Sequence, residues 1–351
     1  MEMTEGKYKR LLAVSTKKGI IAAAAMDQRG SLKKAIAKAK GVDAKEITSQ
    51  MLSEFKSCVS RVLTPYASAI LLDPEYGLEA IKVRAKGAGC LLAYELTGYD
   101  QTQEGRIPQL IPHWTVKKAI EVGADCIKVL LYYTPFDPKD VNDIKHAFVS
   151  RIGAECAYYD IPYFLECVGY DPEGKDEKGI DYARKKPQIV KESMREFSKP
   201  EYCVDVLKVE IPINLQFVDG TGAFQKKGGE AAYTREEAKK LFRDCAQATA
   251  KPFIYLSAGV SDEEFRESLL LAIEAGIPFN GVLCGRATWK DGISHYAQGG
   301  RAAFEKWLLD RGVKNIQALN EVLDRGARPW YERYGGLDRI QVRPHHPVAV
   351  S

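Results

Sequence analysis

The sequence lacks long hydrophobic runs, blocks of like charge and paired cysteine motifs. No segment approaches the ~18 consecutive apolar residues that a membrane helix needs, and the opening residues, MEMTEGKYKRLL, contain no apolar stretch typical of a secretion signal. The formal net charge is only +4, from 51 Lys plus Arg and 47 Asp plus Glu spread along the chain. We therefore expect no membrane insertion, no secretion and no non-specific binding of nucleic acid.

Disulfide signals are also missing, because the eight cysteines occur singly within apolar runs and none forms a CxxC pair. This distribution predicts buried, reduced thiols and a cytoplasmic location. The cysteines are Cys58, Cys90, Cys126, Cys156, Cys167, Cys203, Cys245 and Cys284.

The chain does contain a regular alternation of short apolar runs and charged, amphipathic segments. Its 351 residues, 45% hydrophobic and 28% charged, are enough for a large buried core. The runs predicted to be strands are 19–25, 67–72, 89–95, 126–132, 163–168, 204–211, 252–257 and 280–284. Segments with helical spacing between them include 44–63, 140–159, 234–249 and 262–275. Eight such units predict an α/β fold, a single-domain (β/α)₈ TIM barrel, although periodicity alone also permits a doubly wound sheet.

Three segments depart from this alternation. We expect the barrel to occupy residues 1–325 and the segment 326–351, which contains ARPWYERYGG and RPHHPVAVS, to be an irregular C-terminal tail. Polar insertions at 171–184 and 216–233 follow the fifth and sixth predicted strands, at the barrel end that carries active sites. The glycine-rich GTGAFQKKGGE stretch within the second insertion is either a mobile lid or a solvated surface loop.

Four of the charged residues in or next to predicted strands occupy positions where inward-facing apolar residues are expected. The two-residue alternation of side chains places Lys208, Lys128 and Glu166 on the faces of their strands that point into the barrel. Asp27, two residues beyond Ala25 at the end of the first predicted strand, is expected to face the interior by the same alternation. A single such lysine is usually an outward-pointing side chain or part of a structural ion pair, but four converging charged groups favour a reactive centre.

Two lysines and nearby carboxylates in one interior suit a particular chemistry. Closely spaced lysines disfavour each other's charged form, and removal from water acts in the same direction, which favours a neutral amine that can attack a carbonyl. Carboxylates oppose that effect but can transfer protons. The combination suits imine formation followed by acid–base cleavage of a C–C bond.

The last two strand ends have the composition of an anion site. Small residues in LSAGV (256–260) and at Gly285 let backbone amides approach an anion, and Arg286 adds a rigid fork of donors. The connections after strands seven and eight are the usual phosphate site of such barrels. Arg29, after the first predicted strand, either holds a second anion or pairs with a surface carboxylate.

Six motifs carry a family resemblance that runs from about residue 10 to 325. They are MDQRGSLKK (26–34), CIKVLLYY (126–133), FLECVGYD (164–171), VDVLKVEIPIN (204–214), IYLSAGVS (254–261) and FNGVLCGRATW (279–289). In these motifs the chain resembles the class I tagatose-1,6-bisphosphate aldolases of the bacterial lactose and galactose tagatose pathway. The resemblance implies a (β/α)₈ barrel and reversible, Schiff-base cleavage of tagatose 1,6-bisphosphate to dihydroxyacetone phosphate and glyceraldehyde 3-phosphate. It also implies that no metal or other cofactor is needed.

The resemblance extends to individual positions. It implies that Lys208 is the Schiff-base lysine, that Glu166 is the acid–base carboxylate, and that Lys128 and Asp27 line the same pocket. It further implies that Ser257, Gly259, Gly285 and Arg286 bind the phosphate of dihydroxyacetone phosphate, and that Gln28 and Arg29 contact substrate, with Arg29 the candidate for the distal phosphate.

Three alternatives remain open from the sequence. The same chemistry could act on fructose 1,6-bisphosphate, another stereoisomer or 6-deoxy-6-sulfofructose 1-phosphate, which a similar aldolase family cleaves. A zinc-dependent aldolase would require converging histidines, whereas the only five are His113, His146, His295, His345 and His346, none within a predicted strand. A sugar-phosphate sensor could keep the anion site without turnover. Size and resemblance also lead us to expect a homo-oligomer with a small-molecule ketose phosphate as its partner.

Overall fold

Eight parallel strands close into a barrel in chain order in the computed structural model, which describes residues 1–100 and 102–346. The barrel strands are β2 (Ile21–Ala25), β3 (Ala69–Leu72), β4 (Gly89–Ala93), β5 (Cys126–Tyr132), β6 (Tyr163–Val168), β7 (Val206–Glu210), β8 (Phe253–Leu256) and β9 (Gly281–Cys284). The barrel closes where β9 pairs with β2. The predicted (β/α)₈ barrel is therefore confirmed, and a doubly wound sheet is excluded.

The strands are short apolar runs because both of their faces are buried. In β6, Tyr163, Leu165 and Cys167 belong to the large core between barrel and helices, whereas Phe164 belongs to the barrel interior. Successive side chains alternate between these two environments, as strand geometry requires. Glu166 shares the inward face of Phe164, in agreement with the prediction.

The helices occupy the outer layer, and their starts follow local capping signals. Thr234 and Glu237 form a capping box at the start of α9, and the Ser261 side chain accepts a hydrogen bond from the backbone of Glu264 in α10. The helices are α1 (Glu5–Ala13), α2 (Gly30–Lys40), α3 (Ser49–Leu63), α4 (Leu78–Lys82), α5 (Val116–Glu121), α6 (Lys139–Tyr158), α7 (Ile180–Glu196), α8 (Gly222–Lys227), α9 (Arg235–Ala246), α10 (Asp262–Glu274), α11 (Arg286–Trp289), α12 (Ile293–Trp307) and α13 (Val313–Gly326).

The amino-terminal end of the barrel is closed by residues from both ends of the chain. Leu11 of α1 and Trp330 pack in the same buried cluster as the inward side chains of the strands, and both are fully buried. The backbone N–H of Trp330 donates to the carbonyl of Gly19, just before β2, at 2.9 Å. This end is therefore filled, and access to the interior is from the opposite end.

The segment expected to be an irregular tail contains short elements of regular structure where it is described. Trp330–Tyr334 and Leu337–Arg339 are 3₁₀ helices, and strand β10 (Gln341–Arg343) pairs in parallel with β1 (Glu2–Thr4). Residues 347–351 of the predicted tail lie outside the described residues. The division of the chain at residue 325 stays a prediction.

Both polar insertions reach the carboxyl-terminal end of the barrel. The first insertion supplies the start of α7, and the second contains α8. At the start of α8 the backbone N–H of Gly222 donates a hydrogen bond of 2.6 Å to Oε1 of Glu267 in α10. Lys226 also pairs with Glu263 of α10 at 2.8 Å. The second insertion is thus attached to α10, and its role as a lid stays a prediction.

The remaining predictions concern thiols and membrane helices. All eight cysteines are free, and seven of them are buried, with Cys203 half-buried. Across residues 1–100 and 102–346, no helix has both the length and the apolar character needed to cross a bilayer.

Candidate active site

A cavity of about 880 Å³ lies at the carboxyl-terminal ends of the barrel strands. Nine of the ten residues predicted for the site line it: Asp27, Gln28, Arg29, Glu166, Lys208, Ser257, Gly259, Gly285 and Arg286. The tenth, Lys128, is fully buried and contacts lining residues from beneath. The predicted residues therefore share one site, with Lys128 in its floor rather than in its lining.

Lys208 and Glu166 face each other in the floor of the cavity. Their strands, β7 and β6, pair in parallel, and the two residues are direct partners in the register. The Nζ atom of Lys208 lies 2.7 Å from Oε2 of Glu166, and both side chains are more than nine-tenths buried. Strand pairing thus places an amine and a carboxylate in contact, in a position largely removed from water.

Lys128 connects this pair to two further carboxylates. Its Nζ lies 2.8 Å from the same Oε2 of Glu166, and it donates hydrogen bonds of 2.8 Å to Oδ2 of Asp27 and to Oε1 of Glu95. An ammonium group has three protons, and three carboxylates surround it. Glu166 consequently lies between two lysines, one exposed to the cavity and one enclosed by carboxylates.

The charges of this cluster shift the pKa values of its members in different directions. Burial disfavours the charge on Asp27, but the ammonium groups of Lys128 and Lys208 outweigh it and hold the pKa of Asp27 well below its usual range. Burial also opposes the charge on Lys128, yet its three carboxylates raise the pKa of Lys128 well above normal. Burial raises the pKa of Glu95. The raised pKa of Lys128 favours its charged ammonium form at neutral pH.

Glu95 belongs to this cluster, although it is not among the residues predicted for the site. It follows β4, whose inward residues are Leu91 and Ala93, so the same two-residue alternation that identified Lys128 places Glu95 in the interior. The signal was present because the predicted strand 89–95 ended on this residue. A charge at the end of a strand is common, however, and does not by itself indicate an interior group.

The cavity wall after β8 and β9 has the geometry of an anion site. Gly259 has φ +79°, and a Cβ built there would lie 2.8 Å from the guanidinium carbon of Arg286. Only glycine fits this left-handed position without strain, so the loop backbone and the guanidinium group stay in close approach. Arg286 is exposed to the cavity and forms no ion pair with any residue in the described part of the chain. Its charge is free to meet an anion.

The backbone of this wall is held by Lys290 and by close packing at Gly285. Lys290 donates to the carbonyls of Gly259 and Val260 at 3.0 and 3.1 Å, and the backbone N–H of Val260 donates to the carbonyl of Ser257 at 3.1 Å. A Cβ on Gly285 would lie 3.0 Å from the carbonyl of Ala25. Ser257 is buried beside them and lines the same cavity.

Arg29 occupies the other side of the cavity and already has partners. Its Nη1 lies 3.2 Å from Oε1 of Glu75, and its Nη2 donates to the backbone carbonyl of Glu95 at 2.8 Å. Arg29 thus forms an ion pair with Glu75, one of the two alternatives that the sequence left open, and its contact with a second anion stays a prediction. Arg29 and Gln28 nevertheless line the cavity, and Nε of Arg29 has no hydrogen-bond partner among the described residues.

The arrangement can carry out amine and proton-transfer chemistry on an anionic substrate. It combines the amine of Lys208 at the base of the cavity, an adjacent carboxylate, and an arginine that has no ion pair among the described residues and lies beside a glycine-rich turn. Among the residues that the structure describes, no three His, Cys, Asp or Glu side chains form a group that could hold a metal ion.

Comparisons with known proteins agree with this geometry. The family model described as DeoC/LacD family aldolase matches residues 21–291. A tagatose 1,6-diphosphate aldolase of Listeria monocytogenes serotype 4a is 48% identical over 342 residues, covering 97% of this chain and 98% of that protein. Tagatose 1,6-diphosphate aldolase 2 of Enterococcus faecalis is 51% identical over 333 residues, covering 95% and 98% of the two chains.

Solved structures support the fold independently of sequence. A fructose-bisphosphate aldolase from Plasmodium falciparum superposes with a TM-score of 0.65 at 13% identity, covering 91% of this chain and 96% of that one. A Schiff-base-forming fructose-1,6-bisphosphate aldolase gives a TM-score of 0.53 at 14% identity, covering 90% and 98%. The family match over most of the chain and the relatives at 48% and 51% identity establish that the chain belongs to the DeoC/LacD family of aldolases.

Proposed function

We propose that this protein is a class I aldolase that reversibly cleaves tagatose 1,6-bisphosphate to dihydroxyacetone phosphate and glyceraldehyde 3-phosphate. The observation that carries the proposal is the contact of Lys208 with Glu166 at the base of an open cavity. The relatives from Listeria and Enterococcus, whose names contain this activity and which match nearly the full chain, support the choice of substrate.

In the first half of the reaction Lys208 forms an imine with the substrate. Glu166, 2.7 Å away, accepts a proton from the lysine, and the neutral amine attacks the C2 carbonyl to give a carbinolamine. Glu166 then returns a proton to the departing hydroxyl group, so that water leaves and a protonated imine remains. Lys128 stays charged between three carboxylates and holds Glu166 in place.

In the second half the imine accepts the electrons of the broken bond. Glu166, again a carboxylate, removes the proton of the C4 hydroxyl group, and the C3–C4 bond breaks to release glyceraldehyde 3-phosphate. The bonding pair moves onto C3 and into the imine, giving an enamine on Lys208. Protonation at C3 and hydrolysis of the imine then release dihydroxyacetone phosphate and regenerate the amine.

The wall after β8 and β9 orients the substrate for this chemistry. We assign the phosphate on C1 to Ser257, Gly259, Gly285 and Arg286, because these residues combine a close-approaching backbone with a guanidinium group that no described residue pairs with. A phosphate held there lies after the two strands that follow β7 in the barrel, since β8 pairs with β7 and β9 pairs with β8. Binding at the phosphate thus places the carbonyl carbon near the amine.

Trapping of the imine tests the proposal directly. Borohydride reduction of the protein with dihydroxyacetone phosphate, followed by peptide mass spectrometry, should give a covalent adduct on Lys208. The Lys208→Met variant should give none, whereas Lys191→Met, an exchange in the outer helix α7, should react like the wild type. An adduct on another lysine, or none despite demonstrated binding of dihydroxyacetone phosphate, would contradict the assignment and favour a non-catalytic sensor.

The distal group of the substrate requires a separate test. Apart from Arg29, the cationic side chains that line the cavity away from Arg286 include Lys178, which forms no ion pair with any described residue, and Lys186, which lies 3.1 Å from Oε1 of Glu210. These charges support an anionic distal group. Comparing kcat/KM for tagatose 1,6-bisphosphate, fructose 1,6-bisphosphate and 6-deoxy-6-sulfofructose 1-phosphate would decide among the sugars, and full activity in excess chelator would exclude the zinc-dependent alternative.

Two wider expectations accompany this function. The free cysteines support a reducing compartment, and we propose the cytoplasm as the site of action. A homo-oligomer stays a prediction, which sedimentation of the purified protein would test.

A further inference from the structure

Lys56 is fully buried, lies outside the cavity and has no part in the proposed reaction. It lies on α3, in the helical layer behind β2, and none of its surface is exposed. Its Nζ donates hydrogen bonds to the backbone carbonyls of Met26 at 2.7 Å and Gln28 at 2.8 Å, and forms an ion pair with Asp73. All three ammonium protons therefore have acceptors, and two of these acceptors belong to one short segment.

That segment, Met26–Arg29, carries three side chains that line the cavity. The last sheet hydrogen bond of β2 is donated by the backbone N–H of Met26 to Leu71, so the chain beyond it has left the barrel. Arg29, at the start of α2, has φ −119° and ψ −85°, which is neither a strand nor a helix conformation. No regular element determines the path of residues 27 and 28, and the carbonyls on either side of Asp27 are bound by Lys56 instead.

Stability alone is a poor explanation for this arrangement. Burial lowers the pKa of Lys56, and Asp73 opposes that effect, which means that the charge is held at a cost. Replacing a buried ion pair by apolar residues of similar volume is often neutral or stabilising. A role in fixing the positions of two backbone carbonyls explains the buried ammonium group better, since its N–H donors require acceptors at specific positions.

We propose that Lys56 is a positioning residue that acts through Asp27. By binding the carbonyls of Met26 and Gln28, it sets the path of the backbone so that the Asp27 carboxylate meets Lys128, whose ammonium in turn contacts Glu166. This inference rests on the proposed aldolase function, because its effect is measured on the proton transfers of Glu166. It adds a residue to that function that neither lines the cavity nor touches substrate.

A double-mutant cycle on turnover tests the proposal. The variant Lys56→Met/Asp73→Asn removes the ammonium together with its counter-charge, and the Asn side chain keeps the acceptor that Glu75 and Tyr76 use in the following turn. It should lower kcat by about tenfold or more while KM changes by less than about threefold, because small misplacements of reacting groups are costly. In an Asp27→Ala background the same two changes should lower kcat by less than about threefold.

Two comparison variants separate positioning from folding. Asp73→Asn alone leaves both hydrogen bonds from Lys56 to the carbonyls and should keep kcat within about threefold of the wild type. Lys56→Gln/Asp73→Asn keeps an amide with two donors at position 56, so its kcat should lie between those of the wild type and the methionine variant. This variant also tests the proposal if the methionine variant folds poorly. Thermal unfolding of every variant accompanies the kinetics, and adduct formation on Lys208 reports whether the site is still assembled.

The results of these experiments separate a failure of the role of Lys56 from a failure of the proposed aldolase function. An unchanged kcat in the folded methionine variant would overturn the role of Lys56 and leave the aldolase proposal intact. An equal loss in the Asp27→Ala background, or an equal loss in Asp73→Asn alone, would also overturn it, because the effect would then not pass through Asp27 or the carbonyls. A wild-type protein with neither turnover nor adduct would overturn the proposed function and this inference together.

Discussion

Replacing Glu166 by glutamine isolates its role in proton transfer. The amide has almost the same shape as the carboxylate, and its neighbours Lys208 and Lys128 remain at 2.7 and 2.8 Å from the position of Oε2. Lys128 keeps its contacts with Asp27 and Glu95, each at 2.8 Å, so the buried ammonium is not left without counter-charge. We therefore expect Glu166→Gln to fold, in contrast to a change that empties the floor of the cavity.

The magnitude follows from the function that the amide cannot perform. A positioned acid or base contributes about 10²- to 10⁴-fold to the rate, which corresponds to ~2.7–5.4 kcal/mol of transition-state stabilisation at 1.36 kcal/mol per factor of ten. The phosphate wall after β8 and β9 is untouched, since Glu166 belongs to β6. Turnover should fall by that factor, and binding of dihydroxyacetone phosphate should change little.

The assay combines coupled measurement of triose phosphate release with calorimetric titration of dihydroxyacetone phosphate. Glu173→Gln is the matched control, because Glu173 is an exposed carboxylate in the connection that follows the same strand and pairs only with Lys175 among the described residues. It should behave like the wild type. A kcat of Glu166→Gln within about threefold of the wild type would refute the assignment of acid–base catalysis to this residue.

Three further predictions follow from the charges and packing described above. Gly259→Ala should raise KM by about tenfold with little change in kcat, because residue 259 has φ +79° and the new Cβ would lie 2.8 Å from the guanidinium carbon of Arg286; an unchanged KM would contradict the anion site. Lys128→Met should lower the free energy of unfolding by about 3–5 kcal/mol at pH 7, since three buried carboxylates lose the ammonium group that they share, although Glu166 keeps its contact with Lys208. In the wild type the pKa of Asp27 is lowered, so this carboxylate stabilises the folded state above the unfolded-state pKa of about 3.9, and the stabilisation is lost as the pH falls through the folded-state pKa. The difference in the free energy of unfolding between the wild type and Lys128→Met, measured by urea denaturation, should therefore shrink below about pH 4; a larger difference there would contradict the reasoning. Trp330→Ala should cost about 3–5 kcal/mol in the same assay but retain kcat at 25 °C, because this buried side chain closes the end of the barrel away from the cavity.

The periodic pattern was sufficient to predict the barrel and the direction of its interior lysines. Lys208 is predicted to point inward because the two-residue alternation of its strand places it on one face with Val204 and Val206, and the structure has Val206 in the barrel interior and Lys208 on the same face. A charged residue in such a position is conspicuous in any sequence. Glu95 carried the same signal but at a strand end, where a charge is common and therefore uninformative.

The partners of Arg29 and the burial of Lys128 could not be predicted in the same way. Glu75 lies 46 residues from Arg29, in the connection after the next strand, and no local pattern relates the two. Lys128 was expected to line the pocket, but three carboxylates from three other strands or strand ends enclose it. Such contacts depend on the positions of side chains across the barrel, which only closure of the sheet determines.

The sequence by itself determined the eight-strand alternation, the inward faces of β5, β6 and β7, and the small residues after β8 and β9. These are local properties, because strand period and the conformational freedom of glycine act over a few residues. Tertiary structure alone decided that Lys208 and Lys128 share Glu166, and that Lys56 on an outer helix binds the carbonyls beside Asp27. Hydrogen bonds and ion pairs require atoms to be about 3 Å apart, and chain folding brings together atoms that sequence separates by dozens of residues.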